Sequence, residues 1–181
     1  MLTPSSVEEA YYFAGLALNL ADKYQSIVIL LVDKQLSEMV TTYSARQCAG
    51  VERGEILTNP PEDYKRYNFT ETGISPRVMV GTKNGDFIAS SYEHDEYGAT
   101  SEDSENKKRM TEKRWKKLEN FFAKEGYTGF QVFNPEAKKM LIAFSATTYT
   151  AKEFIRQNPE FGLIVITFLK PLDDRLLEAI V

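Results

Sequence analysis

The six consecutive aliphatic residues Ile27-Val28-Ile29-Leu30-Leu31-Val32 constrain this chain more than any other stretch. A run without alternation reads as a strand buried on both faces, which is the habit of parallel sheets. Such a strand needs neighbours. It follows directly on a segment of helical period. On a helical wheel, residues 7 to 24 spread Phe13, Leu16, Leu20 and Tyr24, with Ala10, Ala14, Ala17, Ala21, Leu18 and Tyr11, around most of the circumference. Ser5, Ser6, Glu8 and Glu9 supply two overlapping S-x-x-E capping boxes, so the helix starts near Val7. A helix this apolar is covered on more than one side, and this chain by itself is expected to leave a sizeable apolar face open.

Residues 33 to 86 show no sustained period and are rich in turn chemistry: Asn59-Pro60-Pro61, Gly73, Ser75-Pro76, Gly81 and Asn84-Gly85. They read as a long irregular crossover with one hairpin around Asn84-Gly85. A connection of that length in a compact domain is functional or packs on a partner. Residues 93 to 105 then carry six acids and no lysine or arginine, and residues 107 to 117 carry seven basic residues. Acid first and base last suits the dipole of a helix. On the wheel Met110, Trp115, Leu118, Phe121 and Phe122 share one face, and Lys107 and Arg114 point into the same arc. Their stems are expected to run along apolar surface while their charges meet the acids of residues 93 to 105.

Beyond Gly126 the order is a strand at Met140 to Phe144, a Ser/Thr-rich turn, a helix near Ala151 to Gln157, a strand at Leu163 to Phe168 and a helix near Asp173 to Ile180. That β-α-β-α order favours two adjacent parallel strands. Both ends read as cut from a larger α/β assembly. The closing Leu177-Glu178-Ala179-Ile180-Val181 stands where a doubly wound pattern runs on into a strand.

Composition narrows the chemistry. One cysteine, Cys48, and one histidine, His94, among 181 residues cannot build a disulfide framework, a four-cysteine iron–sulfur site or a Cys/His zinc site. Glu8 and Glu9 open the chain without a basic residue, and its longest aliphatic run is far short of the ~18 apolar residues of a membrane span. The expectation is a cytoplasmic protein in a reducing compartment, with no membrane partner. A net charge of −4 argues against a general polyanion binder and leaves the basic run of 107 to 117 as the local exception.

An ordered set of segments resembles the α subunit of 2-oxoacid:ferredoxin oxidoreductases. These are Pro4-Ser5-Ser6-Val7-Glu8-Glu9-Ala10-Tyr11, Leu18-Asn19-Leu20-Ala21-Asp22-Lys23-Tyr24, Val32-Asp33-Lys34, Lys65-Arg66-Tyr67, Thr70-Glu71-Thr72-Gly73-Ile74-Ser75-Pro76-Arg77, Glu93-His94-Asp95-Glu96-Tyr97-Gly98 and Met110-Thr111-Glu112-Lys113-Arg114-Trp115-Lys116-Lys117-Leu118-Glu119. The resemblance implies an α/β fold: a truncated thiamine-fold edge of helix plus parallel strand, a long crossover, and a transketolase-C-terminal-like parallel α/β domain. It divides the chain into 1–44, the end of the pyrimidine-type thiamine diphosphate domain; 45–100, the crossover; 101–125, an acidic-to-basic linking helix; and 126–181, the transketolase-like domain. Gln25-Ser26-Ile27 departs from the family's Thr-Pro-Val. Ser145-Ala146-Thr147 departs from its Gly-Ser, and the last strand has no counterpart.

The activity implied is oxidative decarboxylation of a 2-oxoacid to acyl-CoA with electrons passed to ferredoxin. The Glu93-His94-Asp95-Glu96 block resembles the 2-oxoglutarate branch. Thiamine diphosphate and magnesium belong to the assembled enzyme and the iron–sulfur cluster to a partner. The family's Tyr-Pro-Ile-Thr-Pro segment, its activating glutamate and its Gly-Gly-Pro-Ser-Thr-Gly segment have no counterpart here. The resemblance thus gives this chain no catalytic residue and no metal ligand, and no activity alone. Its partners are the β subunit, γ and ferredoxin-type subunits, and ferredoxin as acceptor.

Four residues stand out as site candidates, each with a structural alternative. Asp33, at the C-terminal end of a parallel strand, sits at the usual ligand edge of an α/β sheet, or caps the next turn. Arg77, its chain direction set by Pro76, aims its fork at a carboxylate, a CoA phosphate or a partner subunit, or forms a structural ion pair. His94, between Glu93 and Asp95, is a tuned proton-transfer group or part of an acidic surface turn. Arg114 is an interface candidate or the partner of a nearby acid. The alternative to an oxidoreductase subunit is a non-catalytic module whose basic helix binds a protein or polyanion. One aromatic and an acidic flank argue against nucleic acid.

Overall fold

The computed structural model describes residues 1–42 and 48–180. In chain order its elements are helix α1 (Val7–Tyr24), a short helix α2 (Lys34–Glu38), strands β1 (Ile56–Leu57) and β2 (Arg77–Val78), helices α3 (Ser104–Lys116) and α4 (Phe121–Glu125), strands β3 (Phe130–Phe133) and β4 (Lys139–Ala143), helix α5 (Thr147–Gln157), strand β5 (Phe161–Ile166) and helix α6 (Arg175–Ile180). None of the described helices is long and apolar enough to cross a membrane. The chain divides into two compact units: Met1–Ala21, Ser26–Val51 and Phe122–Val181 form one, and Asp22–Gln25 with Glu52–Phe121 the other. Of the segments expected from sequence, most of 1–44 and all of 126–181 fall in the first unit, and 52–121 in the second. The expected boundary at 44/45 lies outside the described residues.

The first unit is built on β5. This strand lies at the centre of a three-stranded sheet ordered β3-β5-β4, with Leu163, Ile164 and Val165 buried on successive faces. Its uninterrupted apolar run is what two covered faces require. β4 pairs with it in parallel, Lys139 opposite Phe161 and Ala143 opposite Val165, and α5 makes the crossover between them, as the β-α-β order predicts. Ala151 and Ile155, one turn apart on α5, pack against Ala143, Leu163 and Val165. The other neighbour, β3, is antiparallel to β5 and is absent from the sequence reading. The sheet is therefore mixed rather than wholly parallel.

Ile27–Val32 departs from expectation. The segment is extended but carries no ladder beyond one isolated parallel bridge, Leu30 to Leu2. Leu2 donates to the Ile29 carbonyl and its own carbonyl accepts from Leu31, each at 2.8 Å, while Thr3 N–H reaches the Thr167 carbonyl at 2.9 Å. The N-terminal residues thus lie between this segment and the continuation of β5. Only the even-numbered side chains are covered. Ile27, 90% exposed, and Ile29 and Leu31 face outward, so the run is buried on one face and not two. An apolar run records what favours burial; it does not supply the surface that covers it.

α1 begins at Val7, and Ser6 Oγ accepts the Glu9 N–H at 3.1 Å while the Glu9 carboxylate reaches back to the Ser5 N–H at 2.7 Å. The capping box is closed one residue earlier than the ideal motif. Within the first unit Phe13, Leu16 and Leu20 are buried and Tyr11, Ala14 and Leu18 form an exposed stripe.

In the second unit β1 and β2 form a two-residue parallel pair. The hairpin expected at Asn84-Gly85 does not form; Asn84 takes φ 60° in an isolated turn. The reversal lies instead at residues 93–101, where His94 bridges Thr100, Asp95 N–H meets the Ala99 carbonyl at 2.9 Å and Ser101 N–H meets the Glu93 carbonyl at 2.9 Å. Gly98, at φ 90°, closes that turn so tightly that an added Cβ would lie 1.7 Å from the Ile88 carbonyl oxygen. The single linking helix expected over 101–125 is two helices, parted at Asn120, which has φ 55°. Asp103 caps α3 by accepting the Asn106 N–H.

Candidate functional site

The four candidate residues fall in different places, Asp33 in the first unit and Arg77, His94 and Arg114 in the second. Asp33 follows the extended segment and is the N-cap of α2. Its Oδ1 accepts from the Leu36 N–H at 2.8 Å, and its Oδ2 accepts from Ser145 Oγ at 2.7 Å and the Ala146 N–H at 2.8 Å. The N–H of Leu36, then Ser145 and Ala146, hold its carboxyl below the usual carboxylate range. Both oxygens are engaged by the chain's own donors. Asp33 thereby ties the start of α2 to the turn between β4 and α5.

Arg77, on β2, forms an ion pair with Asp22 at the end of α1. Asp22 also accepts the Gly54 N–H at 2.8 Å through its second oxygen and faces Arg53 at 3.5 Å. The Gly54 bond first, and Arg77 after it, keep the Asp22 carboxyl low. Gly54 is required there, because a Cβ would sit 2.6 Å from the Asp22 carbonyl oxygen. Arg77 Nε is buried without a hydrogen-bond partner. Asp22, the residue that orients this arginine, is absent from the sequence reading because 55 residues separate the two.

His94 lies in the tight 93–101 loop with its ring 4.0 Å from that of Tyr67 and its Nδ1 2.9 Å from the Asp95 carbonyl oxygen. Its two acidic neighbours are turned elsewhere. Asp95 Oδ1 accepts from the Tyr97 and Ala99 N–H groups at 2.9 and 3.0 Å, and the Glu93 carboxylate takes both arms of Arg114. Those two bonds hold Glu93 down at about 2. The pairing of Arg114 with an acid of the 93 to 105 stretch is thus present, whereas exposed Lys107 makes no ion pair among the described residues.

The wheel reading of α3 is rotated. Its inward stripe is Asn106, Met110, Lys113 and Lys117, and Trp115 is 59% exposed rather than part of the apolar face. Lys113 is 8% exposed. Burial, together with Lys117, Arg66 and Arg114, pulls its ammonium down to about 8. The signal was in the sequence, since Lys113 stands three residues after Met110 and four before Lys117. Among the described residues no group of three or more His, Cys, Asp or Glu side chains is arranged to hold a metal ion.

The family model described as pyruvate flavodoxin/ferredoxin oxidoreductase, thiamine diphosphate-binding, matches residues 1–113. The chain is 31% identical to 2-oxoacid:ferredoxin oxidoreductase 2, subunit alpha, of Aeropyrum pernix, covering 94% of this chain and 28% of the relative. It is 34% identical to 2-oxoacid:ferredoxin oxidoreductase 1, subunit alpha, of Sulfurisphaera tokodaii, covering 93% and 28%. Among solved structures, a 2-oxoglutarate:ferredoxin oxidoreductase from Magnetococcus marinus, with 2-oxoglutarate, coenzyme A and succinyl-CoA bound, superposes with a TM-score of 0.84 at 25% identity, covering 98% of this chain and 32% of that one. The chain spans between a quarter and a third of the length of these proteins.

Proposed function

Because this chain belongs to the pyruvate flavodoxin/ferredoxin oxidoreductase family, as part of a 2-oxoacid:ferredoxin oxidoreductase α subunit, we propose that it serves an enzyme oxidatively decarboxylating a 2-oxoacid to an acyl-CoA. The observation that carries this reading is alignment over more than nine-tenths of the chain with two α subunits. On this reading α1 and the Ile27–Val32 segment are the edge of a thiamine-type domain, and the β3-β5-β4 sheet with α5 and α6 is the transketolase-like domain. The preferred substrate is 2-oxoglutarate, supported by the Glu93-His94-Asp95-Glu96 loop and by the Magnetococcus likeness.

Thiamine diphosphate needs a divalent ion at its diphosphate, and the described residues do not fit that requirement: Asp33 spends both oxygens on the chain's own donors, and no other set of acids converges. Cofactor and magnesium are therefore held by other parts of the assembled enzyme. The iron–sulfur cluster belongs to a partner. The roles left to this chain are framework and subunit contact. Co-expression with the β subunit of the same enzyme is expected to give a stable complex, and the chain alone no 2-oxoacid-dependent reduction of viologen. Viologen reduction by the purified chain with 2-oxoglutarate, thiamine diphosphate, magnesium and CoA overturns the proposal.

A further inference from the structure

The inward stripe of α3 carries more charge than its surroundings answer. Lys113 is buried, and its ammonium makes no hydrogen bond to any described residue. Lys117, one turn on, is half-buried and donates one bond, 2.8 Å long, to the Gln25 carbonyl. The Arg66 guanidinium, lying over the rings of Tyr67 at 5.2 Å and Phe87 at 5.7 Å, is close enough to repel both ammoniums. The other charged groups near Lys113 are Arg114, which is gripped by Glu93, and Glu96. Glu96 is already shared between Lys65 at 3.5 Å and the Phe69 N–H at 3.3 Å. Three cations therefore converge on one recess whose single acid faces a fourth.

A buried ammonium without an acceptor is unfavourable, and three together are worse, unless an anion completes the set. Two point donors and one planar fork, approaching from different elements, match an acceptor with several oxygens and a charge near −2. A carboxylate offers two oxygens and one charge. We propose that Lys113, Lys117 and Arg66 form a binding site for a dianionic phosphate group, independent of the oxidoreductase reading. The source of that group is either free phosphate or the phosphomonoester of a nucleotide-like molecule.

The test is a calorimetric titration of the 181-residue chain with inorganic phosphate at pH 7 and constant ionic strength. Binding is expected to saturate. Lys113→Met and Lys117→Ala are each expected to weaken it by roughly tenfold, about 1.4 kcal/mol. Lys108→Ala, on the exposed side of the same helix, is expected to leave it within about twofold. Arg66→Gln gives a further reading if Lys113→Met does not fold. A second titration with a nucleoside 3′-monophosphate separates the sources: binding roughly tenfold tighter than inorganic phosphate assigns the site to a phosphomonoester, and equal or weaker binding to free phosphate. Absence of saturation, or equal weakening by Lys108→Ala, overturns the site.

Discussion

Arg114 holds Glu93 with two parallel hydrogen bonds, Nη1 to Oε2 at 3.0 Å and Nη2 to Oε1 at 2.6 Å, across 21 residues of chain. This is the fork-to-fork geometry that makes arginine irreplaceable by lysine. It pins the 93–101 loop to α3, and Asn106 Nδ2 adds a bond to the His94 carbonyl at 2.9 Å. The loop that carries the only histidine is therefore anchored at two points on one helix.

The Glu93 pairing has an acid signature. Its carboxyl is depressed to about 2, so it stabilises the fold above the unfolded carboxyl's ordinary value, and that contribution fades as pH falls from there toward 2. The Arg114 side chain is 48% exposed, so solvent screening limits the contribution to about 1 kcal/mol. Glu93→Gln is expected to flatten the acid limb of a stability-against-pH curve by that amount, and Arg114→Met to cost about the same at pH 7. A loss above ~3 kcal/mol in urea unfolding of Arg114→Met would mean that the pair acts as a fully buried one.

Lys113 gives the opposite limb. Its folded value, about 8, lies below the ordinary lysine value of 10.5, so between these the unfolded chain binds more protons than the folded one. Stability is expected to rise with pH across that window as the buried charge is lost. Lys117, depressed in the same direction, adds to the rise, while Arg66 and Arg114 stay charged and Glu96 stays ionised. In Lys113→Met the rise is expected to shrink and stability at pH 7 to increase. A wild-type curve that falls between pH 8 and 10 would contradict the burial of this ammonium.

What the sequence made legible was local. The Ser6–Glu9 cap and the continuous run of β5 are written in neighbouring residues, and both elements formed where those residues stand. The Ile27–Val32 run carries the same signature as β5, yet only β5 found strands on both sides, because pattern states a demand for burial and not its supply. Asp22 with Arg77 and Asp33 with Ser145 were illegible for another reason. Their partners are 55 and 112 residues apart, and no periodicity links residues joined only by tertiary folding. On α3 the wheel was drawn around Trp115 and Phe121, although the helix stops before Phe121; with the phase taken from Met110 alone, Lys113 falls on the buried side.

Asp33 accepts three hydrogen bonds that its amide or alanine replacement cannot all keep. Asp33→Ala loses the cap of α2 and leaves Ser145 Oγ and the Ala146 N–H without their acceptor, an expected cost of roughly 1–3 kcal/mol. Asp33→Asn retains acceptance through one oxygen and is expected to cost less. Denaturant unfolding of both variants checks the order. If the two were indistinguishable from the parent chain, the link from α2 to the turn before α5 would have no energetic weight.

The outward face of Ile27, Ile29 and Leu31 supplies the last prediction. These three alternate along one extended segment, so their side chains form a continuous apolar strip on the uncovered side while Val28, Leu30 and Val32 hold the covered side. Strips of this kind bind hydrophobic dyes and promote association. Ile29→Thr keeps a β-branched side chain, so the extended backbone is expected to persist and stability to change by no more than ~0.5 kcal/mol. Dye fluorescence and concentration-dependent association are expected to fall together in Ile29→Thr, and not in Val28→Thr, which alters the covered side and is expected instead to lower stability by ~1 kcal/mol or more. Equal dye binding in the parent and Ile29→Thr would show that the strip is covered in solution.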